Sequence, residues 1–151
     1  MPSQSSIDMI DTQVNHLIRN APDLATSESI KAIAPVLKNI ALQQKHSKYF
    51  LVQSKGGNLV LTTLNHVSDS RISKNVIYAY PSLAIAAQNQ AGLIDSEIIE
   101  VEIISLLFQL LGMPELDSLI LDEKLPKEIE RQKLYNLCQV QLRTQITNNI
   151  A

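Results

Sequence analysis

The residues able to do chemistry in this chain are few: His16, His46, His66, Cys138, the turn Lys55-Gly56-Gly57-Asn58 and two groups of carboxylates. The histidines have no partner at metal-ligand spacing. With one cysteine and no His-x-x-x-His, the ligand set a zinc or iron site needs is missing from the pattern, so no metal and no cofactor is expected. Cys138 falls on an apolar helical stripe, where a thiol packs as a small hydrophobe, and a reactive thiol needs exposure and a basic neighbour. A Cys-His pair with His46 or His66 would need approach in space, and nothing local supports it. Glu97, Glu100 and Glu102, then Asp117, Asp122 and Glu123, lack the helical Glu-x-x-His of a di-iron site, so they read as a solvated face and as first-turn acids. Glu102 stands out because its surroundings are apolar: if buried it must be paired or protonated, with Lys or Arg from the basic part of the chain as the obvious partner. The glycine pair is followed by a strand pattern, whereas a phosphate loop leads into a helix, so it reads as a tight turn. No catalytic residue is assigned.

Charge is the most uneven property. Lys31, Lys38, Lys45, Lys48, Lys55, Arg71 and Lys74 face only Asp69 over residues 31–74, whereas residues 95–130 carry ten acids against Lys124 and Lys127. The net charge of −2 conceals this split. Lys45, Lys48, Lys55, Arg71 and Lys74 bracket the turn and form a candidate basic patch. Helix followed by a rimmed hairpin is the layout of a winged-helix DNA binder. Against that stand a pI of about 5.9, one Arg in the basic region and only Gln43 and Gln44 for base edges. Nucleic acid therefore ranks below protein as a partner. The two charged regions are expected to meet each other, within a chain or between copies.

The elements that must position these residues follow from periodicity. Ile7, Ile10, Val14, Leu17 and Ile18 predict an amphipathic helix from Ser6 to about Arg19, capped by Ser5 or Ser6. Ile30, Ile33, Leu37 and Ile40 predict a second from Ser27 to Lys45, kinked or divided at Pro35. Tyr49–Ser54 and Leu59–Leu64 read as a hairpin about Gly56-Gly57, with Val52 opposite Leu61 and with Phe50, Val52, Leu59 and Leu61 on one side. Val76 to Tyr80 reads as a third strand, and Pro81-Ser82 opens an Ala-rich helix to about Gln90. Ser96 to Leu111 reads as one helix, apolar nearly all round and closed by Gly112 and Pro114. A short helical piece from Pro114 to Leu121 and a last helix from Pro126 to about Thr147 complete the chain.

Tyr49 to Ala87, an extended pair followed by a strand ending Tyr78-Ala79-Tyr80-Pro81-Ser82 and an Ala-rich helix, resembles the opening of SseB-like proteins over about a quarter of the chain. The resemblance rests on segment order, and no activity, cofactor, partner or site residue is carried over from it.

At 151 residues, 45% hydrophobic and 4% aromatic without Trp, the chain fits one domain (1–151) with an aliphatic core. It divides into a helical arm over about 6–45, a hairpin and sheet over 49–80, and C-terminal helices over 82–147. A single Cys, a polar start and no apolar run of membrane length lead to the expectation of a cytoplasmic protein with no membrane contact. The expected fold is α+β: a small antiparallel sheet of about three strands, flanked by N-terminal helices and packed on apolar C-terminal helices. The expected function is a non-catalytic protein-interaction or regulatory module, a homodimer or the partner of another protein. Its interface would be Ile99, Ile103, Leu106, Leu107, Leu110, Leu134, Leu137 and Val140. The alternatives are a nucleic-acid-binding regulator using the basic hairpin and a small-ligand sensor.

Overall fold

The computed structural model describes residues 2–65 and 73–150, with side chains at all of these but 65 and 145–150. The fold is α+β. Helices α1 (Gln4–Arg19) and α2 (Leu24–Leu42) precede strand β1 (Lys48–Ser54), then β2 (Thr62–Asn65) and β3 (Ser73–Ala79). Helix α3 (Leu83–Gln90), β4 (Ser96–Glu102), α4 (Ile103–Gly112), β5 (Ser118–Leu121), β6 (Lys127–Glu130) and α5 (Arg131–Ile150) follow. Each early helix starts on a side-chain cap. Ser3 Oγ accepts from Ser6 N, one turn ahead of the expected Ser5 or Ser6, and the Asp23 carboxylate accepts from Thr26 N at 2.7 Å. Helix α2 runs as one element through Pro35, which lies on its exposed side.

Instead of one three-stranded antiparallel sheet there are two sheets. β1 pairs antiparallel with β4 over its whole length, and β2-β3-β5-β6 form a second, mixed sheet in which β3 and β5 are parallel. The parallel pair is fed by the α3–β4–α4 crossover, as parallel strands require. A bridge between Phe50 and Tyr80 joins the sheets. β1 is buried on both sides: Tyr49 and Leu51 enter the main core, while Phe50 and Val52 enter a smaller cluster with Tyr80 and Ala86 under α3.

Three expectations are corrected. Ser96 to Leu111 is not one helix, because its β-branched first half (Ile98, Ile99, Val101) takes the partner edge of β1 and only the Leu-rich second half is helical. Pro114 to Leu121 ends in strand β5 rather than a helical piece, and the last helix begins at Arg131 because Lys127–Glu130 is strand β6. The hairpin about Gly56-Gly57 exists, one residue out of the expected register. Ser54 N donates to Asn58 O, Gln53 bridges Leu59, and Gly57 takes φ +89° as the third residue of a three-residue loop. The slip exchanges the faces: Val60 joins Phe50 and Val52 in the smaller cluster, Leu59 packs on the main core, and Leu61 is exposed. The long pairings of β1 and β2 are with β4 and β3 rather than with each other.

Helix α4 is the centre of the main core, with Ile103, Ile104, Leu106, Leu107 and Leu110 buried. It has no polar residue of its own that closes either end. At the N-terminus, Glu102 makes no side-chain cap. The first free amides are instead satisfied from other elements: Ile103 N donates to Ser47 O at 2.9 Å and Ile104 N to Gln13 Oε1 at 3.2 Å. Gln13 is a buried residue of α1, and its Nε2 donates to Ser47 O at 2.8 Å, tying α1, β1 and α4 at one point. At the C-terminus, Arg131 Nε donates to Leu110 O at 3.1 Å and an Arg131 terminal nitrogen to Leu111 O at 2.9 Å. Both ends of the central helix are therefore closed by side chains of α1 and α5. Replacing Gln13 by Leu keeps the volume and strands the Ile104 amide, and we expect a loss of ~1–3 kcal/mol in urea unfolding. Arg131→Met is expected to cost a comparable amount, with Arg131→Lys recovering only part because an ammonium cannot reach two carbonyls in a fork.

Candidate functional site

The expected interface is mostly interior. Ile103, Leu106, Leu107, Leu110 and Leu134 are buried in the chain's own core, and Ile99 is half-buried against it. A helix apolar on nearly all sides is satisfied here by α1, α2, β4 and α5, so these residues offer no face to a partner. Of the eight, Leu137 (51% exposed) and Val140 (57%) are the exposed ones.

The basic patch is also redistributed. Lys48 pairs with Glu100 at 3.7 Å across β1–β4, and Lys74 Nζ lies 2.7 Å from Glu128 across the second sheet. Lys45 and Lys55 are exposed, the latter on the turn, and Arg71 lies outside the described residues, as does His66. The basic and acidic regions thus meet within one chain, strand against strand. Ser118, fully buried, donates from Oγ to Glu128 Oε2 at 2.5 Å and completes that contact. The Lys74 ammonium, then the Ser118 hydroxyl, hold the Glu128 carboxyl below its ordinary value, and Glu128 in turn raises Lys74.

Glu102 is half-buried, and its partner is not a Lys or Arg. His16 Nδ1 sits 3.2 Å from each of its oxygens, one turn of α1 beyond Gln13. A second carboxylate, Glu123, is more enclosed, with a side chain 10% exposed. It accepts from the Tyr49 hydroxyl at 2.5 Å and stands 4.0 Å from His46 Nε2. Burial, then the hydrogen bond to Glu123, drives the Tyr49 phenol far above its ordinary value, so the hydroxyl remains a donor at neutral pH. Cys138 is buried and burial pushes its thiol up to about 11, which removes the thiolate needed for nucleophilic or redox chemistry at neutral pH. Among the described residues no three His, Cys, Asp or Glu side chains come together as a metal site, and no helix is long and apolar enough to cross a membrane.

Among the described residues the most exposed large hydrophobic side chain, Ile94, lies where no site was expected. Residues 75–94 form the longest stretch of the chain without Asp, Glu, Lys, Arg or His. Its outward part is α3, with Leu83, Ala84 and Ala87 exposed, and the loop that follows, where Ile94 is 90% exposed. This loop is held firmly. Leu93 N donates to Gln90 O, Gln90 Nε2 to Ser96 O at 2.9 Å, Ser96 Oγ to Leu93 O, and Lys55 N to Asp95 O. Gly92 and Asp95 take φ of +88° and +57°, turning the backbone sharply on either side of Leu93-Ile94. The signal was present in the sequence as the missing charge, not as a motif.

No family model matches this chain, and no curated protein matches it. The likeness of Tyr49–Ala87 to SseB-like proteins has no support from these comparisons, and the first two strands of that segment find their long pairings elsewhere.

Two outcomes follow from the titrating groups. Glu128 has a depressed folded value, so its contribution is present above the ordinary carboxylate value of 4.5 and is lost as pH falls through the folded one. Glu128→Gln is expected to flatten the acid side of a plot of urea midpoint against pH, leaving neutral pH less stable than wild type. At neutral pH a thiol reagent is expected to label Cys138 only at the rate of unfolding; prompt stoichiometric labelling of the native protein would contradict its burial.

Proposed function

We propose that this protein is a non-catalytic interaction module that self-associates through the uncharged face of α3 and the Leu93-Ile94 loop. The observation that carries the reading is Ile94, a large aliphatic side chain 90% exposed on a hydrogen-bonded loop beside a helix that bears no charge. Charge depletion and aliphatic or aromatic anchors mark the centre of protein interfaces, and a preordered loop loses little entropy on docking. Two copies can bring such a face together without opposing like charges. The neighbouring free edge of β4 is different: Glu97 and Glu100 are exposed along it, and charges of this kind discourage strand addition.

Two features weigh against the nucleic-acid alternative. Lys48 and Lys74 are spent on Glu100 and Glu128, and Gln43-Gln44 lie past the end of α2, in the turn toward β1, rather than along a helix face.

Sedimentation equilibrium at high micromolar concentration is expected to give a dimer for the wild type and a monomer for Ile94→Lys combined with Leu83→Glu. Both positions are exposed, so the circular dichroism spectrum and thermal midpoint should be retained. A monomeric wild type, or a dimer indifferent to these substitutions, would overturn the reading.

A further inference from the structure

Strand β4 has one neighbour, β1, and its other edge is open. We propose that this edge binds an extended segment of a partner protein as an added strand, one in which aliphatic residues are interspersed with Lys or Arg.

The direction of the backbone groups follows from β1. Phe50 exchanges both of its main-chain hydrogen bonds with Tyr80, at 2.8 Å each, and Val52 O accepts from Val60 N. The even residues of β1 therefore bond away from β4 and the odd ones toward it, because an antiparallel ladder alternates. In the observed register Tyr49, Leu51 and Gln53 are opposite Val101, Ile99 and Glu97. The N–H and C=O of Ile98 and Glu100, with the N–H of Glu102, are left pointing outward, and among the described residues none takes them. The edge is closed only at its start, where Gln90 Nε2 donates to Ser96 O at 2.9 Å.

Both faces of the edge have apolar surface to give to a strand. Ile98 packs on the smaller cluster under α3, and Ile99 and Val101 pack on the main core, yet all three are only partly buried. Their partners in register, Val52, Leu51 and Tyr49, are buried. An added strand would cover the outer row as β4 covers the inner one, with main-chain bonds supplying affinity and alternate side chains supplying specificity.

The charge of the edge selects the occupant. Residues 95–102 hold Asp95, Glu97, Glu100 and Glu102 and no Lys or Arg. Lys48 lies 3.7 Å from Glu100 and His16 3.2 Å from Glu102, whereas Asp95 and Glu97 have no cationic partner among the described residues. A second copy of β4 would bring the same carboxylates to the edge and be disfavoured. A segment with Lys or Arg opposite Glu97 and Glu100 gains from them instead. Run antiparallel to residues 97–101, the complementary sequence is Val-Lys-Ile-Val-Lys, which sets its lysines opposite Glu100 and Glu97.

The test is a titration of the isotope-labelled full chain with acetylated and amidated Gly-Ser-Val-Lys-Ile-Val-Lys-Ser-Gly at low salt. Binding is expected to saturate below millimolar peptide, to shift the amides of Ile98, Glu100 and Glu102, and to slow their hydrogen exchange. Replacing both peptide lysines by Glu, or methylating the peptide nitrogens opposite Ile98 and Glu100, is expected to weaken binding about tenfold or more. Proline is tolerated on an edge strand where its nitrogen faces solvent. Glu100→Pro should therefore keep the β1–β4 pairing and lose the peptide to a similar degree. Lack of a saturable shift at millimolar peptide would overturn the proposal, as would equal binding of the acidic or the methylated peptide. Protection of the Ile98 and Glu100 amides that grows with protein concentration alone would place a second copy on the edge and overturn it too. Glu100→Pro is expected to sediment as wild type does, so this result stands apart from the self-association test.

Discussion

The central helix α4 cannot close its own ends, and the rest of the fold is arranged around that deficiency. Ten residues, Ile103–Gly112, carry five buried aliphatic side chains and none that caps the N-terminus. Buried helix termini leave amides and carbonyls that must find partners. Gln13 reaches from α1 to the first turn and Arg131 from α5 to the last, so the two helices distant in sequence are fixed to the same short element. Ser47 O, accepting from both Ile103 and Gln13, brings the start of β1 to the same point. Helix packing, strand placement and the position of Glu102 opposite His16 all follow from these contacts.

The same scaffold decides what the surface offers. Because β4 immediately precedes α4 and pairs with β1, the acidic residues of β4 are laid beside the one basic residue of β1, and Lys48–Glu100 forms within the chain. The second sheet repeats the arrangement with Lys74 and Glu128. Exposed pairs of this kind contribute little stability. Their effect is to remove charge from the basic region, while α3 carries no charged residue at all.

Much of the fold was legible in the sequence, and the parts that were not share a cause. The α1 and α2 stripes, β3 and the Ser82 start and Gln90 end of α3 are local patterns, and each is found within a few residues of its expected bounds. The failure at Ser96–Leu111 came from reading two elements as one: a continuous apolar run has no period that separates strand from helix, and the change from β-branched Ile98, Ile99 and Val101 to Leu106, Leu107 and Leu110 was the better guide. Mistaking the merged run for a single all-round apolar helix also created a dimer face from residues that are interior. Nothing in the sequence singles out Gln13, because its partners, Ser47 O and Ile104 N, are backbone atoms brought to it only by the tertiary fold. Arg131 was hidden inside a helix expected to begin at Pro126. Tertiary hydrogen bonds to backbone leave no trace in residue type.

Native-state hydrogen exchange, read amide by amide across a denaturant series, addresses the central claim directly. If α1, α4 and α5 are locked together through Gln13 and Arg131, the amides of Ile104 and of the α4 interior should exchange only through global unfolding, with the same free energy as the protected amides of α1 and α5. Exchange of the Ile104 amide through a low-energy local opening, while the α1 and α5 amides remain protected to the global limit, would contradict it.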